Sequence, residues 1–290
     1  MKKKIKVLSA IAALLVSGSF ADAQNLIMRI DDMGALHSVN TASIDTYQNG
    51  IAASAEVLVV GGWFPEAVKM LRENPGLDVG VHLAITSEWE NVKWRPLTDC
   101  PSLVDENGYF FPMLGPNPAY PGQSVFENME KFDMKEIEQE FRAQIELALK
   151  NIPNLTHISG HMMSTGFNTE VNEMVKRLSA EYGLPSIDRM GSGKEYGFEY
   201  IGYDGPKATA EEKIASFIKA LEKTEPGKTY VFIDHPAYND SEMETVMHIG
   251  YEDVPVDRQG VTDLLKSAEV AEAIKAKGIK LLTFKEFFNK

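Results

Sequence analysis

Short apolar runs alternate along the chain with longer stretches in which apolar residues return every three to four positions. The runs are LIMRI (26–30), AEVLVV (55–60), LDVGVHLAI (77–85), LTHIS (155–159), PSID (185–188), TYVFI (229–233) and IKLLTF (279–284). Their length and apolar character predict strands. The stretches MKEIEQEFRAQIELALKN (134–151), NTEVNEMVKRLSAEYG (168–183), TAEEKIASFIKALEK (209–223) and DLLKSAEVAEAIKAKG (263–278) carry the spacing of amphipathic helices. Strand and helix in alternation predict an α/β fold of mostly parallel strands joined by helical crossovers. Such strands suit either an open doubly wound sheet or a closed or incomplete barrel. No repeat, low-complexity segment or flexible linker divides residues 24–290, so a single domain is expected.

The pattern breaks twice. Residues 86–133 are rich in proline, glycine and aromatics without clean periodicity, and an irregular insertion of this length is usually functional. At the start, MKKKIKVLSAIAALLVSGSFADA joins a lysine-rich segment to an apolar run and an Ala21-Asp22-Ala23 cleavage pattern. Residues 1–23 therefore read as a signal peptide, too short in its apolar core to span a bilayer, and the protein is expected to be exported, periplasmic or secreted. No later segment is long and apolar enough to cross a membrane.

The formal net charge is -13, and loss of the lysine-rich leader makes the remainder more acidic still. That argues against nucleic acid or anionic lipid as a partner and leaves neutral substrates open. The single cysteine, Cys100, allows neither an internal disulfide nor a thiolate metal cluster. No G-x-G-x-x-G or G-x-x-x-x-G-K-[ST] marks a nucleotide site. Any metal must rely on histidine and carboxylate.

Those residues fall in telling places. Asp31 and Asp32 follow the first predicted strand, His82 lies near the end of the third, and His161 and His235 follow LTHISG and TYVFID. The C-terminal edge of a parallel sheet is where barrels and open α/β sheets build their sites. Adjacent carboxylates in a strand point to opposite faces, but both can serve one site if the strand ends at Ile30 or Asp31 and the chain turns at Met33-Gly34. Two imidazoles and a carboxylate form a common catalytic metal set, and a second carboxylate and a third histidine can move protons. Taken singly, a D-D-x-G segment is most often a turn and a histidine at a strand end a loop residue. His157 and His248 read as structural or surface residues, and His37 is placed to line the pocket.

RIDDMGALHSVNTA, VGVHLAIT, THISGHMM and FIDHPAYND together resemble the motifs of the YdjC-like (ChbG/HpnK) family of carbohydrate deacetylases, in the same order and over nearly all of residues 26–288. The resemblance implies a single (β/α) barrel-like domain of about seven strands, related to TIM barrels. It implies a divalent metal, zinc first with nickel, cobalt, iron or magnesium as alternatives, and an N-acetylated saccharide as substrate. Asp32, His82 and His161 would bind the metal; Asp31 would act as general base, and His235 would assist departure of the amine. His37, Trp63, Trp89, Trp94 and Arg95 are candidates for substrate binding. A homodimer stays open. Ser159-Gly160 and Met163 stand where the family motif has Asp-Ser and His, which predicts fewer polar groups around the metal. Two other readings remain: a saccharide-binding protein on a degenerate scaffold, or a deformylase or other amide hydrolase.

Overall fold

In a computed structural model that describes residues 24–125 and 132–289, every strand pairing is parallel, so all strands deliver their C-terminal ends to one side. The strands are β1 (Asn25–Met33), β2 (Ser54–Val57), β3 (Asp78–Leu83), β4 (Leu155–Gly160), β5 (Glu199–Tyr200), β6 (Thr229–Asp234) and β7 (Lys280–Leu281). They form one sheet in the order β4-β3-β2-β1-β6-β5, with β7 against β1. One edge of β1 holds β6; the other holds β7 at Asn25 and Leu26 and β2 from Arg29 onward. β1 is consequently buried from Leu26 to its end, as expected of a central parallel strand covered on both faces.

The helices are α1 (His37–Gln48), α2 (Phe64–Glu73), α3 (Met134–Asn151), α4 (Thr169–Tyr182), α5 (Ser192–Tyr196), α6 (Ala210–Leu221), α7 (Val254–Leu265), α8 (Ala268–Ala276) and α9 (Phe284–Phe288). Side-chain caps set several starts: Asp133 for α3, Asn168 for α4 and Thr209 for α6 each accept a first-turn N–H. The stretch 263–278, which reads as one helix, is two. The Ser267 side chain accepts from Val270 N–H and begins α8, and apolar periodicity does not register that interruption.

The predicted strand at 185–188 is also corrected. It lies along β4 through Ile158 N–H to Pro185 and Ile187 N–H to Ile158, yet forms only the isolated bridge of Ser186 with Ile158. The further strand, β5, comes later and pairs with β6. Between these edges the Tyr200 hydroxyl reaches the Ile187 carbonyl at 3.2 Å and Asp188 at 3.1 Å. The sheet is thus a curled, incomplete barrel.

The described part of the insertion is packed rather than loose. Trp94, Cys100, Leu103 and Phe110 enter the main core. Glu140 of α3 accepts from Leu97 N–H (3.0 Å), Thr98 N–H (2.9 Å) and the Thr98 hydroxyl (2.6 Å), and Glu136 accepts from Ser102 N–H. Burial and the nearby Glu140 push the Cys100 thiol up to about 12, which leaves it inert. Residues 126–131 and the leader 1–23, read above as a signal peptide, lie outside the described residues.

At the end of β1 the strand does not stop where the sequence suggests. It runs to Met33, but between Ile30 and Met33 its register with β2 shifts, and Asp32 itself is left-handed, with φ 71°. This bulge, rather than a turn at Met33-Gly34, breaks the alternation. Gly34 follows with φ +98°, and an added Cβ would stand 2.6 Å from the Leu58 carbonyl oxygen. Gly34→Ala is therefore expected to lose about 1–3 kcal/mol from backbone strain alone, seen as a lower unfolding free energy in urea. An unchanged midpoint would contradict that role.

Candidate active site

Because β1 has period 2 up to Asp31, Arg29 and Asp31 share a face. Arg29 donates to both carboxylate oxygens of Asp31, at 2.6 and 2.8 Å, and to Asp188 at 2.8 Å. Its Nε also lies 3.6 Å from Glu56. A guanidinium in the middle of a strand is tolerable because three carboxylates surround it. Burial pushes the Asp31 carboxyl up, against the pull of Arg29. Arg29→Met would strand these buried acids and should cost about 3–5 kcal/mol of stability, measured by chemical unfolding; a loss below about 1 kcal/mol would sink this assignment.

The bulge swings Asp32 toward the ends of β3 and β4. Its Oδ2 accepts from Arg258 of α7 at 2.8 Å. Its Oδ1 lies 3.2 Å from His161 Nδ1 and 3.8 Å from His82 Nε2, yet this buried oxygen accepts no hydrogen bond. Burial disfavours its charge, but Arg258, His235 and His161 outweigh that and hold the carboxyl well below the usual range. His82, buried in β3, is pushed down to about 3 by burial, His161 and Arg29, so it is neutral with a lone pair to offer. For His161, burial opposes the cation, but Glu88 and Asp32 push its pKa up to about 10.

One donor atom each from Asp32, His82 and His161 lies within 4.8 Å of the other two. The buried oxygen without a donor and the neutral imidazole fit a cation among them. His161 Nε2 faces Glu88 at 2.9 Å, the carboxylate–histidine arrangement that orients a metal ligand. His235, just past β6, sits across the cavity with Nε2 4.0 Å from Asp32 Oδ2 and Nδ1 3.6 Å from Asp234. Its burial favours the neutral ring, but Asp32 and Asp234 raise its pKa. All five groups line one cavity of about 920 Å³.

The family model described as YdjC-like protein matches residues 25–276. The chain belongs to this family. A carbohydrate deacetylase of Enterococcus faecalis is 30% identical over 273 residues, covering 90% of this chain and 97% of its own. Another, from Geobacillus stearothermophilus, is 28% identical over 265 residues, covering 91% and 98%. A solved structure from Enterococcus faecalis V583, described as a proposed cellobiose-phosphate cleavage protein, matches with a TM-score of 0.72 at 27% identity, over 91% of this chain and 98% of its own.

Within this YdjC-like chain the proposed substrate residues separate. Trp89 lines the cavity, with Arg258 5.1 Å over its ring and His248 stacked at 5.6 Å. The other four do not line it. Trp94 is buried behind His161, edge-on at 5.7 Å, and its indole N–H donates to the Thr86 carbonyl. Arg95 lies over the Tyr109 ring at 4.2 Å. His37 packs against Trp63 at 5.2 Å and is held by Glu66 at 2.9 Å, at the start of α1.

His248, read above as structural or surface, instead forms part of the cavity wall. Its neighbour Ile249 is tied to the insertion because Tyr120 accepts from Ile249 N–H and donates to Glu90. His157 is fully buried and bonded to Glu56, a structural place. The sequence assigned no role to Arg29, Glu56, Glu88, Asp188, Asp234 or Arg258; the signals available were the cost of an arginine inside the apolar run LIMRI and of a glutamate inside AEVLVV.

Gly160 and Ser159 explain themselves. A Cβ on Gly160 would stand 2.3 Å from Thr165 Oγ1, so a serine there has no room. Ser159 is not a loss of polarity, because its Oγ meets both His82 and Glu56. Met162 and Met163, next to His161, are both left-handed (φ 48° and 64°), a strain of the kind that gathers at working sites. Met163 is 64% exposed on the cavity lip.

Proposed function

We propose that this YdjC-like chain is a metal-dependent carbohydrate deacetylase, a hydrolase that removes the N-acetyl group from an amino-sugar or an oligosaccharide. The observation that carries the reading is the convergence of Asp32, His82 and His161 with Asp31 and His235 on one cavity at the strand ends. The carbohydrate deacetylases to which the chain is similar over nearly their whole length support the reaction class. The cavity volume lies within the range of small-molecule sites.

Asp32, His82 and His161 would hold the ion, which supplies a Lewis acid to acidify water and polarise the acetyl carbonyl. Zinc suits this donor set best, with nickel, cobalt, iron or magnesium as alternatives. Asp31, fixed by the Arg29 fork, takes the proton from the attacking water. His235, whose pKa Asp32 and Asp234 raise against the effect of burial, gives a proton to the amide nitrogen as the C–N bond breaks. The products are the free amine and acetate. Arg258 neutralises the oxygen of Asp32 that faces away from His161, and Glu88 orients His161.

Export through residues 1–23 belongs to the same proposal and rests on the lysine-rich start, apolar run and Ala21-Asp22-Ala23. A screen of N-acetylated amino sugars from monomer to oligomer, beside N-formyl and peptide amides, tests the substrate class. Acetate release confined to the sugars is the expected result. Release of formate or cleavage of peptides at comparable kcat/KM would point to another amide hydrolase, and sugar binding without any hydrolysis would point to a saccharide-binding protein.

A further inference from the structure

We propose that Glu56, acting through the Ser159 hydroxyl, holds His82 in the tautomer that presents an unprotonated Nε2 to the metal position. This rests on the metal reading given above. Ser159 Oγ lies 2.8 Å from His82 Nδ1 and 2.5 Å from Glu56 Oε2. A hydroxyl has one proton to give, and a carboxylate only accepts. The Ser159 proton therefore goes to Glu56, and Ser159 Oγ must accept from His82 Nδ1–H. The remaining nitrogen, Nε2, is left bare, 3.6 Å from Asp31 Oδ2 and 3.8 Å from Asp32 Oδ1.

The rest of the arrangement keeps Glu56 in place. Its other oxygen meets His157 Nε2 at 2.6 Å, and Arg29 Nε stands 3.6 Å from the same oxygen. Glu56, His157 and Ser159 are all fully buried. Room for the carboxylate comes from Gly80 on the adjoining strand, where a Cβ would fall 2.1 Å from Glu56 Oε2 and 2.4 Å from His157 Nε2. The acid on β2 thus reaches the ligand on β3 by way of β4, and Glu56 and Ser159 are positioning residues that touch neither substrate nor metal.

The test uses the full chain stripped of metal, as wild type, Ser159→Ala, Glu56→Gln and the double variant. Zinc alone is titrated against a chromophoric chelator, and imidazole ¹H–¹⁵N spectra report the tautomer of His82. Each single variant should bind zinc 10–100-fold more weakly, the usual effect of losing a partner behind a ligating histidine. The double variant should be no weaker than the weaker single one, since both break one chain. Wild type should show His82 protonated at Nδ1, and Ser159→Ala should lose that signature while its thermal melt stays cooperative.

Wild type that takes up zinc while Ser159→Ala binds it equally tightly overturns this inference alone. So does a wild-type His82 protonated at Nε2. Wild type that takes up no zinc overturns the metal reading and this inference with it.

Discussion

Asp31→Asn is expected to lower kcat by about 10²–10⁴-fold, the range supplied by a positioned base, while the metal content stays at the wild-type level. Asparagine matches the shape of Asp31 but cannot take a proton. Asp31 is set apart from the metal group by its partner: Arg29 donates one hydrogen bond to each of its oxygens and fixes the carboxylate, leaving each oxygen a second lone pair for a proton, whereas Asp32 keeps Oδ1 open toward His82 and His161. KM should change little, because the lost interaction acts on the transition state. Turnover near the wild-type rate would remove Asp31 from the mechanism.

His82→Ala should behave in the opposite way. It deletes a donor, so zinc affinity should fall by more than the 10–100-fold expected for an outer partner, and activity should fall with metal occupancy. Raising the zinc concentration should recover part of the His82→Ala activity and none of the Asp31→Asn activity. Metal analysis after gel filtration, run beside acetate release, separates the two variants. Equal loss of metal in both would mean that Asp31 is itself a ligand.

Much of the fold was legible because apolar periodicity tracks burial. The helix predicted at 134–151 is α3, and the strands that carry Asp31 and His82 and that end just before His161 and His235 lie where the short apolar runs placed them. What periodicity cannot express was missed: a serine cap that splits one helix into α7 and α8, and a two-residue strand, β5, whose side chains are exposed. The bulge at Asp32 was half visible. The sequence required both carboxylates to reach one side, but the left-handed residue is the aspartate rather than only the glycine after it.

The candidate site divides along the same line. Groups at strand ends could be read because topology alone gathers them. Their partners could not, since Glu88 comes from an aperiodic insertion, Arg258 from a helix, and Glu56 from a strand interior where an acid looks like an exception to the pattern. Aromatic residues were the least readable. Trp89 and Trp94 lie on the same insertion, yet one lines the cavity and the other backs His161, a difference made by packing rather than residue type.

The central claim is that one ion held by Asp32, His82 and His161 is required for deacetylation. Metal-stripped protein titrated with zinc in the presence of an N-acetylated amino-sugar oligomer tests it most directly. Acetate release should be absent at the start and rise in proportion to added zinc, with a break at about one equivalent per chain, as expected for a single catalytic site. Release at full rate from the stripped protein, or none at any zinc concentration, would contradict it.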